Sequence, residues 1–334
     1  MRFPEFSGEW NKYTINDLAT VVGGGTPDTT VKSYWGGDIQ WFTPSEIGKN
    51  KYVDFSKRTI TRDGLDNSSA KLLPLHTILL SSRATVGECS IASNECTTNQ
   101  GFQSLIAKQC NIDFLYYLIQ TKKKDLIRNA CGSTFLEISA NEIRKIKVAV
   151  PVQNEQEQIA KLLSLIDERI ATQNKIIEKL QSLIKGLAAQ LTQSGTPNIR
   201  LCDCLECHSS TLQENCVSVT GSYPVYGATG LIGYTNNYAY NGESILIVKD
   251  GSGVGSLSYV NDHFSVIGTL NYLTAKENYS ILYLYYALMA FNFTPYITGM
   301  AIPHIYFKDY GKAKLFYPLF VFRISKQPKI TRNI

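Results

Sequence analysis

A chain of 334 residues has room for two domains of ordinary size, each with its own core. Its composition, 44% hydrophobic and 18% charged, excludes both a disordered polymer and a membrane-embedded protein. A formal charge of +5 permits nucleic-acid binding without demanding it.

The opening MRFPEFSGEW holds no apolar stretch of signal-peptide length, and no later run approaches the roughly 18 apolar residues of a membrane-spanning helix. Without a secretory signal, the eight cysteines read as reduced thiols of a cytoplasmic protein. GGG at 23–25 runs into Thr26-Pro27-Asp28 and reads as a turn. In FTPSEIG, Thr43 and Ser45 carry hydroxyls of the kind that meet phosphate oxygens. The stretch ILLSSRATVGECSIASNECTTNQGFQSLIAK (78–108) opens with an apolar run and then alternates. It carries a polar turn at Ser81, Ser82 and Arg83 and a second polar cluster at Thr98, Asn99 and Gln100. Arg and Lys suit phosphates and guanine, and Asn and Gln suit adenine. For any one of these residues a solvated turn is the plainer reading, and the DNA contact stays open beside it. An apolar segment of helical length around Leu115-Tyr116-Tyr117 leads to Lys122, Lys123, Lys124 and Arg128, a phosphate-facing surface or a plain exposed helix face.

After Pro151 the chain reads VQNEQEQIAKLLSLIDERIATQNKIIEKLQSLIKGLAAQLTQ. Ile159, Leu163, Ile166, Ile170, Gln173, Ile177, Leu180, Ile184, Leu187 and Leu191 fall at alternating steps of four and three, with Gln173 in the single polar position. That is a heptad seam, and it predicts a coiled-coil helix needing a partner along one side. At about 1.5 Å per residue, a helix over 154–192 reaches some 55–60 Å. Glu155 and Glu157 near its start and Lys185 toward its end suit the helix dipole. Gly195-Thr196-Pro197 breaks it.

Cys202, Cys204, Cys207, His208 and Cys216 then crowd into CDCLECHSSTLQENC. Only Cys204 and Cys207 have CxxC spacing and no second pair stands apart from them, so incidental thiols are expected rather than zinc. ILIVKDGSGVGSLSYVNDHFSVIGTLNYLTAK (245–276) repeats the pattern of 78–108, with Lys249 and Asp250 in the turn and Val254-Gly255 matching Val86-Gly87. GSGVG is followed by strand-like SLSYV, so it reads as a hairpin turn and not a nucleotide loop. Leu284-Tyr285-Tyr286 matches Leu115-Tyr116-Tyr117, Gly299 matches Gly132, and DYGKAKLFYP (309–318) matches EIRKIKVAVP (142–151). An offset of about 167 residues holds throughout, which predicts two copies of one α/β (α+β) domain over 1–150 and 196–318, with the helix in 151–195. LFVFRISKQPKITRNI (319–334) has no seam. The expectation is that a second coiled-coil helix is missing after Pro318, through truncation or a change of frame; the alternative is a C-terminus packed on the second domain. His76, His208, His263 and His304 sit in unrelated contexts, and neither HExxH nor GxSxG occurs, so no catalytic or metal centre is indicated.

Several of these strings resemble the specificity subunits of type I restriction–modification systems. They are FPEFSGEWNKYTINDLA (3–19), GGGTPDTTVKSYWGGDIQWFTPSEIG (23–48), LLSSRATVGECSIASNECTTNQGFQSLI (79–106), PVQNEQEQIAKLLSLID (151–167) and GMAIPHIYFKDYGKAKLFYP (299–318). The resemblance implies two target-recognition domains, each reading half of a split double-stranded DNA site, with long antiparallel helices as the spacer. It implies no catalysis and no cofactor in this chain. S-adenosylmethionine belongs to methyltransferase (modification) subunits, and ATP and Mg to the restriction/translocase subunit recruited with them. It does not assign base-reading residues. With one helix lacking, the seam is expected to pair with a second copy of the chain. Two other readings stand beside this: a coiled-coil scaffold that binds protein without DNA specificity, and an autonomous nuclease or metal enzyme.

Overall fold

A computed structural model describes residues 3–132 and 136–318. The chain forms two compact units, residues 1–172 and 173–334, and the division falls inside one long helix.

In the first unit β1 (Asn11–Thr14) leads into the single-turn α1 (Ile15–Leu18) and β2 (Ala19–Gly23). β3 (Trp35–Phe42), β4 (Tyr52–Val53), β5 (Arg58–Ile60) and the short α2 (Arg62–Asp66) follow. Next come β6 (Ile78–Leu80), β7 (Cys89–Ala92), β8 (Cys96–Thr98) and β9 (Gln103–Ala107). Helices α3 (Ile112–Thr121), α4 (Lys123–Arg128) and α5 (Ala140–Lys145) precede β10 (Lys147–Val150) and α6 (Gln153–Thr192). The main sheet has the order β2-β9-β6-β7-β4, a smaller one has β5-β3-β8, and β1 pairs with β10. The apolar run Ile78-Leu79-Leu80 explains the position of β6, because alternate side chains of a strand point to opposite faces. Ile78 and Leu80 enter the core beneath α3 with Phe114, Leu115 and Ile119, while Leu79 enters the opposite core with Phe42 and Phe102. Asn111 caps α3, its Oδ1 accepting from the Phe114 amide at 2.9 Å.

In the second unit β11 (Ile199–Arg200), α7 (Leu201–Cys204) and β12 (Leu205–Ser209) repeat the opening strand–turn–strand. β13 (Tyr223–Gly227), β14 (Gly230–Thr235), β15 (Tyr240–Val248), β16 (Leu257–Val266) and β17 (Leu270–Ala275) build the sheet. α8 (Ile281–Met289), α9 (Phe307–Tyr310) and β18 (Lys314–Leu315) close it. The order β12-β17-β15-β16 reproduces β2-β9-β6-β7, and β11 pairs with β18 as β1 does with β10. Ile245 and Ile247 enter one core and Leu246 and Val248 the other, the same two-sided burial as β6. β3 runs parallel to β8, and β13 runs parallel to the end of β16. The expected repeat is therefore a repeat of topology, and GSGVG is a hairpin turn between the antiparallel β15 and β16.

α6 is one helix of 40 residues, about 60 Å long at 1.5 Å per residue. At its start Glu155 and Gln156 are buried; the Gln156 side chain accepts from the Asn111 amide at 3.0 Å and donates to the Pro151 carbonyl at 2.9 Å. Further along, Lys51 Nζ reaches Ser164 Oγ at 2.7 Å and Asp113 Oδ1 at 2.8 Å, and the Tyr117 hydroxyl donates to Asp167 at 2.7 Å. At its far end Ala188 and Thr192 are buried, and just beyond it the Gln193 side-chain Nε2 donates to the Ala290 carbonyl at 2.9 Å. Among the described residues no helix is long and apolar enough to cross a membrane.

Candidate nucleic-acid interface

The two polar turns singled out from the sequence share one backbone frame. In the first copy the Ser82 amide donates to Gly101 and the Ser82 carbonyl accepts from Ile138, at 2.8 and 2.9 Å. In the second, Lys249 makes the matching bonds to Thr269 and Ile305, both at 2.9 Å. Arg83 and Cys131 both bridge to Glu137, as Asp250 and Thr298 both bridge to His304. The residue after each turn's charged position has a left-handed backbone, Ala84 at φ 63° and Gly251 at φ 97°. The frames match while the side chains do not: Ser82, Arg83 and Glu137 stand where Lys249, Asp250 and His304 stand.

The side chains in these turns are unequally available. Ser81 and Ser82 are wholly buried because strand pairing continues past Leu80, with Ser81 bridging Phe102. The Ser81 hydroxyl turns inward to the Arg83 carbonyl at 3.1 Å and Thr85 at 3.0 Å and supports the turn from beneath, while the buried Ser82 Oγ has no hydrogen-bond partner among the described residues. Arg83 is 44% exposed and donates to Glu137 Oε2 from Nη2 at 2.7 Å and from Nε at 3.1 Å. Lys249 and Asp250 are half-buried. Thr98 is also buried, Asn99 is half-buried with its Oδ1 accepting from the Gly101 amide at 2.9 Å, and Gln100 is exposed and accepts from the Thr26 hydroxyl. Thr43 is half-buried and caps the turn at 44–46, its hydroxyl donating to Glu46 at 2.6 Å; Ser45 beside it is exposed. The basic run is largely paired, Lys123 with Glu88, and Lys122 and Arg128 with Asp125 at 3.5 Å each.

Hydrogen bonds draw several of these segments together. The Gly25 amide donates to the Thr98 carbonyl at 2.8 Å, and Trp41 Nε1 donates to the Gly25 carbonyl at 2.9 Å. Glu46 Oε1 accepts from the Lys57 amide at 2.6 Å, and the Ser56 hydroxyl accepts from the Trp41 amide at 2.9 Å. Residues 24–28, 40–46, 56–58 and 97–100 thus meet around the small sheet β5-β3-β8. Sequence inspection overlooked two members of this group. The guanidinium of Arg58 lies 3.6 Å from the centroid of the Trp35 ring and 5.5 Å from that of Trp41. The pair is 23 positions apart in sequence and is joined by an irregular register in which Trp35 and Ile39 both face Ile60.

The crowded cysteines do not assemble. Among the described residues no three His, Cys, Asp or Glu side chains converge as metal ligands. Burial pushes the Cys204 thiol up to about 12, and its Sγ donates to the Leu201 carbonyl. All eight cysteines are free.

The seam of α6 divides in two. Ile159 and Leu163 are half-buried, with Ile159 resting on the first unit's core. From Ile166 onward Ile170, Gln173, Ile177, Leu180, Ile184, Leu187 and Leu191 are exposed, the apolar ones by 43–66%. Leu162, Ile176 and Leu183, also exposed, widen the stripe on one side. An apolar cleft of about 610 Å³ opens at the stripe's beginning, lined by Phe3, Pro4, Trp10, Ile159 and Leu162. Another of about 740 Å³ lies at its end between Ile184, Leu187 and Leu191 and Tyr283, Tyr286 and Phe316.

The repeated domain and the long helix find their counterpart in known proteins. The family model of the type I restriction modification DNA specificity domain matches residues 7–182 and again 199–319. This chain belongs to that family. The type I restriction enzyme MjaIX specificity subunit of Methanocaldococcus jannaschii is 39% identical over 183 residues. That alignment takes in 52% of this chain and 42% of the relative, so the chain spans under half of the relative's length. The EcoprrI specificity subunit of Escherichia coli is 24% identical over 345 residues, 93% of this chain and 83% of that protein. The crystal structure of the type I restriction–modification system S subunit from M. genitalium superposes with a TM-score of 0.61 at 18% identity, covering 97% of this chain and 90% of that one. At that identity the likeness is one of fold. It supports the two specificity domains and the intervening helix, which the strand orders had already paired.

Proposed function

We propose that this chain is the DNA-recognition subunit of a type I restriction–modification complex and is itself non-catalytic. Residues 1–150 and 196–318 act as the two target-recognition domains, and α6 sets the distance between the half-sites they read. The methyl donor and the ATP-driven motor belong to modification and restriction subunits assembled around it. The observation that carries this reading is the pair of equivalent turns, 81–83 and 248–250, in which one backbone frame presents Arg83 in the first copy and Lys249 and Asp250 in the second. A scaffold tuned to read two different half-sites needs a constant frame and a variable set of donors and acceptors, because sequence is read by side chains at base edges and not by the backbone.

The exposed stripe from Ile166 to Leu191 takes a second helix, and we assign that helix to another copy of this chain. A face with this many apolar residues is costly to leave in water. The two apolar clefts continue the face at both ends.

Co-expression with the modification subunits and genome-wide mapping of methylated bases tests the reading. One split target, lost when both turns are replaced by glycine–serine, is expected. Methylation without sequence preference, or a complex that retains no duplex DNA, overturns it. Sedimentation equilibrium tests the pairing: dimers at micromolar concentration are expected, and Ile177→Lys with Leu180→Lys should give monomers.

A further inference from the structure

The small sheet β5-β3-β8 of the first unit carries a feature that neither the turns nor the stripe accounts for. Arg58 is exposed on the edge strand β5, its guanidinium lying over Trp35 at 3.6 Å. Trp35 is not free to drift. Its Nε1 donates to the Asp28 carbonyl at 3.1 Å, and its ring meets Trp41 edge-on with centroids 5.0 Å apart. Trp41 is 4% exposed and is tied through its own Nε1 to Gly25. The platform is therefore fixed before any partner arrives.

Arginine in a folded surface usually spends its five donors on a carboxylate or a carbonyl. Arg62, Arg83 and Arg128 pair with Asp66, Glu137 and Asp125, and Arg144 donates to Asn141 and to the Val21 carbonyl. Arg58, like Arg169 and Arg200, has no ion pair or side-chain hydrogen bond among the described residues, but of these three it is the one that lies over an aromatic ring. The guanidinium carbon lies 3.6 Å from the Trp35 centroid, so the ring takes up one side of the group while its N–H donors have no partner of their own among the described residues. Glu46, in a loop bonded to this strand, is engaged by the Lys57 amide and by Thr43. Phe55, three residues away, is 81% exposed. The segments bearing Thr43, Ser45, Asn99 and Gln100 are bonded into the same patch. In the second unit an aromatic group also gathers beside β13 and β16, Tyr223, Tyr238 and His263, with ring centroids 4.5 to 5.6 Å apart.

We propose that Arg58, seated over Trp35, is a DNA contact of the first domain that donates two hydrogen bonds to a pair of acceptors. This rests on the reading that the chain recognises DNA. Two sources present such a pair: the O6 and N7 edge of a guanine in the major groove, and the oxygens of a phosphate. Planar stacking suits either, and it lowers the entropy lost when the fork engages.

The test uses the full chain assembled with its modification subunits and a pool of random-sequence 30-bp duplexes, enriched by binding and sequenced. Arg58→Gln, Arg58→Lys, Trp35→Ala and Trp35→Phe are compared with the unaltered chain after thermal melting shows each folded. Arg58→Gln should bind the enriched pool about 5- to 100-fold more weakly. Arg58→Lys should recover only part of this, because it keeps charge without the fork. Trp35→Ala should resemble Arg58→Gln, and Trp35→Phe should stay within about threefold of the original, since a ring face remains. If the acceptor is phosphate, the slope of log affinity against log salt falls by about 0.9 with an unchanged consensus. If it is guanine, the slope holds and one consensus position relaxes. Arg58→Gln with affinity within twofold, unchanged slope and unchanged consensus overturns the proposal while leaving DNA recognition intact. An unaltered complex that retains no duplex overturns both.

Discussion

At the scale of single residues, the turn at Ala84 carries measurable strain. Its φ of 63° is the left-handed region, which costs a residue with a Cβ about 1–2 kcal/mol and costs glycine little. The equivalent Gly251 is already glycine, with open space where a Cβ would stand. Ala84→Gly should raise stability by about 0.5–1 kcal/mol and Gly251→Ala should lower it by about 1 kcal/mol, read from the urea midpoint. Lys51 makes a second residue-level case. Its side chain is 14% exposed, pairs with the 31%-exposed Asp113, and lies 4.6 Å from the Tyr117 centroid. Burial alone would raise the Asp113 carboxyl, but hydrogen bonds from Lys51 and Tyr52 and the Lys51 charge carry it below the usual range. A lowered carboxylate stabilises the fold above the ordinary aspartate value of about 3.9 and loses that contribution as pH falls through the lowered value. Lys51→Met should cost about 1–3 kcal/mol at neutral pH, discounted for partial solvent screening, and should flatten the stability curve below about pH 4. Urea titrations at pH 3 to 7 provide the check.

At the scale of elements, α6 is a long helix whose middle is exposed, so its own propensity and its partner must sustain it. Gly186 sits inside it with nothing near its missing side chain. Gly186→Ala should strengthen the helix by about 1 kcal/mol, seen as slower amide exchange over the last three turns. Gln173 is the polar member of an apolar seam, and such a residue fixes register at a cost in affinity. Gln173→Leu should tighten self-association while broadening the range of helices that bind, measured by sedimentation and by cross-linking across the seam. The helix was fully legible in the sequence because periodicity reports which residues share a face. So was the hairpin at 251–255, because alternation resumes directly after the glycines. Periodicity says nothing of pairs joined by folding. Lys51 and Ser164 meet across 113 positions, and Arg58 finds Trp35 through a register irregularity that no spacing encodes. The sequence offers Ser81 and Ser82 as DNA contacts, or else as solvated turn residues, yet the central strand runs on past its apolar run and takes both into the interior.

At the scale of the molecule, the repeat was visible as a constant offset, and the structure renders it as the same four strands in the same order twice. What the offset could not convey is that β13 and β14 extend the main sheet of the second unit, whereas β3, β5 and β8 form a separate sheet in the first. If α6 is the spacer between half-sites, its length is a length of DNA. Inserting seven residues after Gln173 preserves the seam and adds about 10.5 Å, or about 3 base pairs. The methylated target should keep both half-sites and gain that spacing; a change in the half-sites themselves would show that the helix does more than separate them. The ion pair of Arg83 with Glu137, and the backbone bridge of Asp250 to His304, each lie wholly inside one copy. Genetic exchange that replaces one half with a foreign one therefore carries both members of these couples along, and if the halves read DNA, new pairings of them can arise by shuffling without stranding a charge.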